Sequence, residues 1–166
     1  MNWLDIREAG PADAEQVGIL LTGAFPSRAE ADLVAALREA GDIALELVAE
    51  VDGEIVGSAV FPKLASDAGL AVAALAPLAV RAGGRRQGLG AALVHQGLIE
   101  LTARGHDWCL VLGDPAYYGR FGFSAEKAEG FSTPYDGPHQ QAVALKLGGA
   151  PAAGGLAYPA AFAALG

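Results

Sequence analysis

The sequence predicts one mixed α/β (α+β) domain, a central sheet flanked by helices. Three observations carry that prediction. Asp52-Gly53 lies between two β-rich runs, a strong hairpin signal. An apolar run at 71–80 meets a glycine- and arginine-rich turn, and a helical apolar pattern resumes at Leu89. Two further helical patterns fill the stretch before the hairpin. At 166 residues, 52% of them apolar, the chain is long enough for a real core.

Residues 3–8 read as a first strand, and Gly10-Pro11 punctuates the chain before a helix over about 12–24, carried by Val17, Leu20, Leu21 and Ala24. Ser27-Arg28-Ala29-Glu30 has the capping-box pattern and opens a second helix, with Leu33, Val34 and Leu37 on one face and its end near Gly41. Strands at 44–51 and 54–61 flank the hairpin turn. In the first of them Leu45, Leu47, Ala49 and Val51 share one face, and the other face, with Glu46 and Glu50, reads as solvated or cleft-facing. Lys63–Gly69 reads as a loop. The strand at 71–80 contains Pro77, which cannot donate to a ladder and so implies a bulge or an unpaired edge.

A third helix spans 88–103, with Leu89, Leu93, Val94, Leu98 and Leu101 as its core side and Gly97 available for close packing. A strand follows at 106–113, then a helical turn over Pro115 to Phe121, then a last strand at 142–147. The domain is therefore drawn at 1–147. Residues 148–166 are a Gly/Ala/Pro linker and an apolar tail, expected to dock on the same body or on a second subunit.

The turn at 81–90 has the chemistry of an anion site. A helix N-terminus presents backbone N–H groups without intrahelical partners and adds partial positive charge. Gly88 and Gly90 let a phosphate approach the backbone, and Arg81, Arg85 and Arg86 add positive charge. A P-loop would need Gly-Lys-Ser/Thr, and no Lys is present in the turn. A dinucleotide fold would need a third glycine where Leu93 stands. The remaining pattern, Arg85-x-x-Gly88-x-Gly90, resembles the R/Q-x-x-G-x-G/A signature of the GNAT superfamily of N-acetyltransferases. Tyr118-Gly119-Arg120-Phe121-Gly122-Phe123 is similar to that family's Y-x-x-x-G-F segment. The wording from Gly113 to Phe123 resembles a bacterial subgroup of predicted acetyltransferases.

The resemblance covers roughly residues 3–147. It implies a GNAT fold, whose mixed, mostly antiparallel sheet splays at its fourth strand to admit a pantetheine arm. It implies acetyl-CoA as cosubstrate, held by Leu78, Ala79, Val80, Arg85, Arg86, Gln87, Gly88, Leu89, Gly90 and Ala91. It implies acetyl transfer to a primary amine of a small molecule or a protein, by direct attack in a ternary complex. A backbone N–H near Leu78 to Val80 would bind the carbonyl oxygen, and Tyr118 would be the general acid. The connection near Phe25-Pro26 reads as a specificity loop or as an ordinary helix–turn–helix edge.

An alkylamine of pKa ~10.4 is neutral in only about one molecule per thousand at pH 7, so it must be deprotonated. Residues 71–80 contain no acid, so the family's strand carboxylate has no counterpart here. Glu30, Glu46, Glu50, Asp114, His106 and a water chain stay open as bases. The missing carboxylate keeps a second reading alive, a non-catalytic acyl-CoA-binding sensor or regulatory domain, and the apolar tail keeps a third, an assembly module. Tyr117 is expected to point away from the site, Arg120 to be solvated or to meet a CoA phosphate, and Cys109 to be a small core residue.

Eleven basic residues against 19 acidic ones give a net charge of −8, which disfavours nucleic acid and anionic membrane as partners. The acidic start near Trp3 is unlike a signal peptide, and one cysteine suits a reducing cytoplasm. His95, His106 and His139 lack ligand spacing, so no metal is expected. A homodimer is suggested by superfamily habit alone.

Overall fold

The computed structural model describes residues 3–84 and 88–165; Arg85, Arg86 and Gln87, three of the expected turn residues, lie outside them. Strand β1 (Leu4–Glu8) pairs antiparallel with β2 (Ile43–Val51), and β2 with β3 (Glu54–Ser66). The hairpin between β2 and β3 has positive φ at both central residues, 51° at Asp52 and 82° at Gly53. Such turns match the twist of the flanking strands.

The apolar run at 71–80 is two strands rather than one. Strand β4 (Val72–Leu75) pairs antiparallel with β3 and parallel with β6 (Trp108–Leu112), which pairs antiparallel with β8 (Gln140–Ala144). Strand β5 (Leu78–Val80) pairs with β3 alone among the described residues. Ala76 and Pro77 both bond Val60: Ala76 N–H donates to the Val60 carbonyl at 2.9 Å, and Val60 N–H to the Pro77 carbonyl at 3.1 Å. Two residues opposite one is a bulge. Beyond it β5 stays on β3 while β6 diverges, and the sheet is splayed.

Helices α1 (Ala14–Ala24) and α2 (Ala29–Ala40) cover one face, and α3 (Leu89–Ala103) covers the other. Under α3, Leu89, Leu93 and Leu101 pack on Leu47, Phe61, Leu75 and the fully buried Cys109. A methyl at Gly97 would fall inside the Phe61 ring, so α3 lies flush on the sheet. On the opposite face Val17, Leu21, Leu33 and Leu37 pack on Val48, Ile55, Val60 and Ala79. No helix of the described residues is long and apolar enough to cross a membrane.

Several expectations are corrected. Glu46 is buried rather than solvated, and Glu50 is half-buried. Their side of β2 is roofed by α1 and α2, and arginines neutralise them there: Arg38 donates to Glu46 at 2.9 and 2.7 Å, and Arg7 to Glu50 at 2.6 Å. Arg7 also forks onto Asp13 and, with the Gly10 N–H, holds its carboxyl down at about 2. The capping box at Ser27 does not form. Helix α2 begins at Ala29, and Ser27 Oγ accepts only the Ala29 N–H, at 3.2 Å. Lys63–Ser66 is strand, because partners from β4 and the tail extend β3. The last strand of the body is 140–144, not 142–147.

Short helices α4 (Pro115–Tyr118) and α5 (Ala125–Ala128) lead to a two-residue strand β7 (Phe131–Ser132). The tail contributes a strand the sequence reading did not anticipate: β9 (Gly154–Ala157) pairs antiparallel with the end of β3 and parallel with β7. Asp67 fastens it, its side chain accepting the Gly155 N–H at 2.9 Å. The following 3₁₀ segment, Ala160–Leu165, buries Phe162 in the α1/α2 cluster.

Candidate active site

The bulge fixes which way β5 presents its backbone. In an antiparallel ladder, residues bond the partner strand alternately. Pro77 and Arg81 bond β3, the latter through its N–H to the Val56 carbonyl at 2.8 Å, and Ala79 lies opposite Ser58. Leu78 therefore turns its N–H away from β3, into the splay. Across the gap, β6 ends at Gly113, whose N–H donates to the His139 carbonyl at 3.1 Å and whose carbonyl accepts from Gln141 Nε2 at 3.0 Å.

On the α3 side the splay opens into a cavity of about 480 Å³. Leu78, Val80, Gly88, Leu89, Gly90 and Ala91 line it, together with Gly84, Tyr117 and Arg120. Six of the ten expected cofactor-binding residues thus meet in one place. Ala79 does not; its side chain lies in the core on the opposite face. Gly88 caps α3 at φ 79°, a conformation L side chains rarely adopt, and no side chain caps the helix among the described residues. The first-turn N–H groups thus lack the usual side-chain acceptor. At Gly90 a Cβ would come within 2.9 Å of the Tyr117 hydroxyl.

Tyr117 corrects the sequence reading: its hydroxyl lies against the helix terminus rather than elsewhere. The Arg120 guanidinium sits over the Tyr117 ring, 4.8 Å from its centroid, which places a cation on the same wall. Tyr118 lies on the β6 side. Its ring covers Gly113, where no Cβ could be accommodated, and meets Phe123 edge-on at 5.9 Å. Burial, and then the neighbouring Tyr117, push its phenol up to about 12. Tyr118, the acid expected from the family resemblance, lines neither this cavity nor the one on the opposite face, whereas Tyr117, expected to point away, lines the α3-side cavity; Gly90, which leaves room for its hydroxyl, is the signal that could have found it.

On the opposite face a second cavity, of about 290 Å³, sits at the mouth of the same splay. Ala74, Leu75 and Ala76 of the central strand and Val111 and Leu112 of β6 form its floor. Tyr135, Tyr158, Phe162 and Leu165 form its wall. Tyr158 stands edge-on to Tyr135 at 4.9 Å and to Phe162 at 5.1 Å, and burial raises its phenol pKa. The sequence reading had the apolar tail docking on this body or on a second subunit, and did not join it to Tyr135. Glu30, Glu46, Glu50, Asp114 and His106 line neither cavity. Asp114 is occupied as the cap of α4, accepting the Ala116 N–H at 3.0 Å. Phe25 packs in the α1/α2 core. Among the described residues no group of three His, Cys, Asp or Glu could hold a metal ion.

Comparison with known proteins gives a consistent picture. A family model described as an acetyltransferase (GNAT) domain matches residues 43–125. The uncharacterised N-acetyltransferase YhbS of Escherichia coli K12 is 44% identical over 120 residues, 71% of this chain and 72% of that protein. The crystal structure of E. coli YhbS, a GNAT family N-acetyltransferase in complex with CoA, superposes with a TM-score of 0.89 at 36% identity, over 98% of this chain and 93% of that one. A GNAT family acetyltransferase from Brucella melitensis, in complex with acetyl-CoA, gives a TM-score of 0.80 at 31% identity, over 96% and 98% of the two chains.

Proposed function

The chain belongs to the GNAT family of N-acetyltransferases, and on that premise we propose that it moves an acetyl group from acetyl-CoA, held on the α3 side of the splay, to a primary amine arriving from the other side. The observation that carries this reading is the continuity of the α3 cavity with the splay: a helix terminus with no side-chain cap among the described residues, a glycine at positive φ and the Arg120 cation share one wall. That wall fits a phosphate-bearing ligand. It also fits the ligands of the two structural relatives, CoA in one and acetyl-CoA in the other.

Acetyl-CoA supplies an acyl carbon activated by a thiol leaving group. Leu78 N–H, turned into the splay, donates to the carbonyl oxygen as negative charge gathers there. Tyr118 donates its phenolic proton to the sulfur as the C–S bond breaks and the C–N bond forms. A phenol near 12 gives up a proton to a thiolate of ~8.5 only against the gradient. The return of a proton from the newly substituted nitrogen to the Tyr118 oxygen must therefore accompany the transfer. The products are acetamide and free thiol, and Tyr118 ends as it began.

Calorimetric titration with acetyl-CoA, followed by an assay of thiol release over a panel of amines, tests the reading. Micromolar binding with amine-dependent release is expected; a folded protein that binds no acetyl-CoA overturns it. The lack of a side-chain carboxylate lining either splay cavity among the described residues favours one second reading, an acyl-CoA-binding regulatory domain. Rapid transfer to any amine removes it.

A further inference from the structure

The tail-side cavity carries information about the acceptor. We propose that it holds the body of the acceptor amine, and that this acceptor is a small primary amine on an apolar, ring-bearing skeleton, not a polyamine or a protein lysine. The inference rests on the acetyl-transfer reading and adds the substrate class.

Position is the first argument. The cavity floor is the backbone of Ala74–Ala76 and the end of β6, the same strand ends that border the splay. An amine leaving this cavity toward the sheet meets the gap where Leu78 N–H points. Chemistry is the second. Among the described residues no charged side chain lines the cavity, and the side-chain polar groups there are the Tyr135 and Tyr158 hydroxyls. A polyamine or lysine would bring a cation with no carboxylate to receive it, a costly burial. A neutral amine on an apolar skeleton loses nothing there. The same surroundings lower the pKa of a bound ammonium, because desolvation disfavours its charged form. The cavity thereby helps to generate the nucleophile, which fits a strand at 71–80 without an acid.

Surface composition is the third argument. Leu112, Tyr135 and Leu165, exposed by 41%, 37% and 41%, are among the chain's few exposed large apolar residues, and all three line this one cavity. Apolar groups gathered at the mouth of a concavity mark a binding site. Tyr158, edge-on to both Tyr135 and Phe162, forms with them a wall suited to a further ring. At about 290 Å³ the space takes a molecule of one ring and a short arm. The larger cavity between α1 and the end of β5 contains Glu54, but Arg81 already pairs that carboxylate at 2.9 Å.

The test compares 2-phenylethylamine, isopentylamine, spermidine and a lysine-bearing peptide in acetyl-CoA-dependent thiol release, in the wild type and in Leu165→Glu. Leu165 is exposed enough for the substitution to leave the core intact. In the wild type, kcat/KM for 2-phenylethylamine should exceed that for spermidine and the peptide by roughly tenfold or more. Leu165→Glu should raise KM for 2-phenylethylamine about tenfold and lower it for spermidine, with acetyl-CoA affinity by calorimetry unchanged. A wild type that binds acetyl-CoA but prefers spermidine or the peptide, or accepts no ring-bearing amine, overturns the inference and leaves cofactor binding standing. So does a Leu165→Glu protein with an unchanged amine profile. A wild type that binds no acetyl-CoA overturns this inference and the acetyl-transfer reading together.

Discussion

The two cavities flank the same splay, one against β5 and the other against the ends of β4 and β6, and are assembled over very different spans of chain. The α3-side wall comes from Leu78, Val80, Gly84, 88–91, Tyr117 and Arg120, and the tail-side wall from residues as far apart as 74 and 165. One presents backbone N–H groups and an arginine; the other presents aromatic rings and methyl groups. Holding an anion requires donors aimed at fixed points, so the wall needs glycines at set spacings and a helix beginning at a set place. Excluding water from an apolar body requires only matching shape, which many side chains supply. The first wall leaves a sequence signature for that reason, and the second does not.

Gly88→Glu is the strongest way to break the contrast. A side chain at φ 79° is strained by ~1–3 kcal/mol, and a carboxylate opposes the helix terminus. Acetyl-CoA affinity should fall by more than about a hundredfold by calorimetry, about 3 kcal/mol in all. The Km for amine at saturating cofactor should barely move. Tyr118→Phe comes next, with kcat down about a hundredfold and acetyl-CoA affinity intact. If kcat holds, the hydroxyl at Gly90 makes Tyr117 the next acid to remove. The pH profile sharpens this. The Tyr118 phenol stays protonated below about 12, so between pH 7 and 10 the rate should rise as the amine deprotonates, with no fall from loss of this proton. An alkaline fall inside that window assigns the acid elsewhere.

Gly113→Ala is a gentler probe of Tyr118. A methyl there collides with the Tyr118 ring and must displace it. We expect kcat to drop about tenfold with both affinities kept, since small misplacements of a catalytic group are costly. The smallest effect is that of Arg120→Ala. Its guanidinium is exposed and rests on a ring, so acetyl-CoA affinity should weaken only about threefold, and less at high salt. A tenfold or larger loss would mean that the charged wall extends further from the helix terminus than the contrast implies.

What could be read in the sequence follows the same division. The hairpin at Asp52-Gly53, the break at Pro77, the helix after Gly88 and the tyrosine before Gly122 were legible, because each is enforced by local backbone chemistry. The burial of Glu46 was missed because alternation says which residues share a face, not whether helices roof it. Lys63–Ser66 and Gly154–Ala157 were missed as strands because their partners are distant: β4 and the tail for the first, β3 and β7 for the second, with Ala65 and Ser66 meeting the tail across some ninety residues. Tyr135 and the tail could not have been joined by any pattern of spacing. They meet only after β9 has been stitched between β3 and β7.

The path of that tail has a practical consequence for anyone handling the protein. Leu165 stands at the cavity rim, so whatever is joined to the chain beyond it emerges beside the amine entrance. An oligohistidine handle placed there would hang over the opening, where it could obstruct the entrance in every assay. Strand β1 forms an outer edge of the sheet. A handle ahead of Trp3 would leave the entrance clear, and comparing the two placements in otherwise identical preparations would expose the artefact before any substrate is assigned.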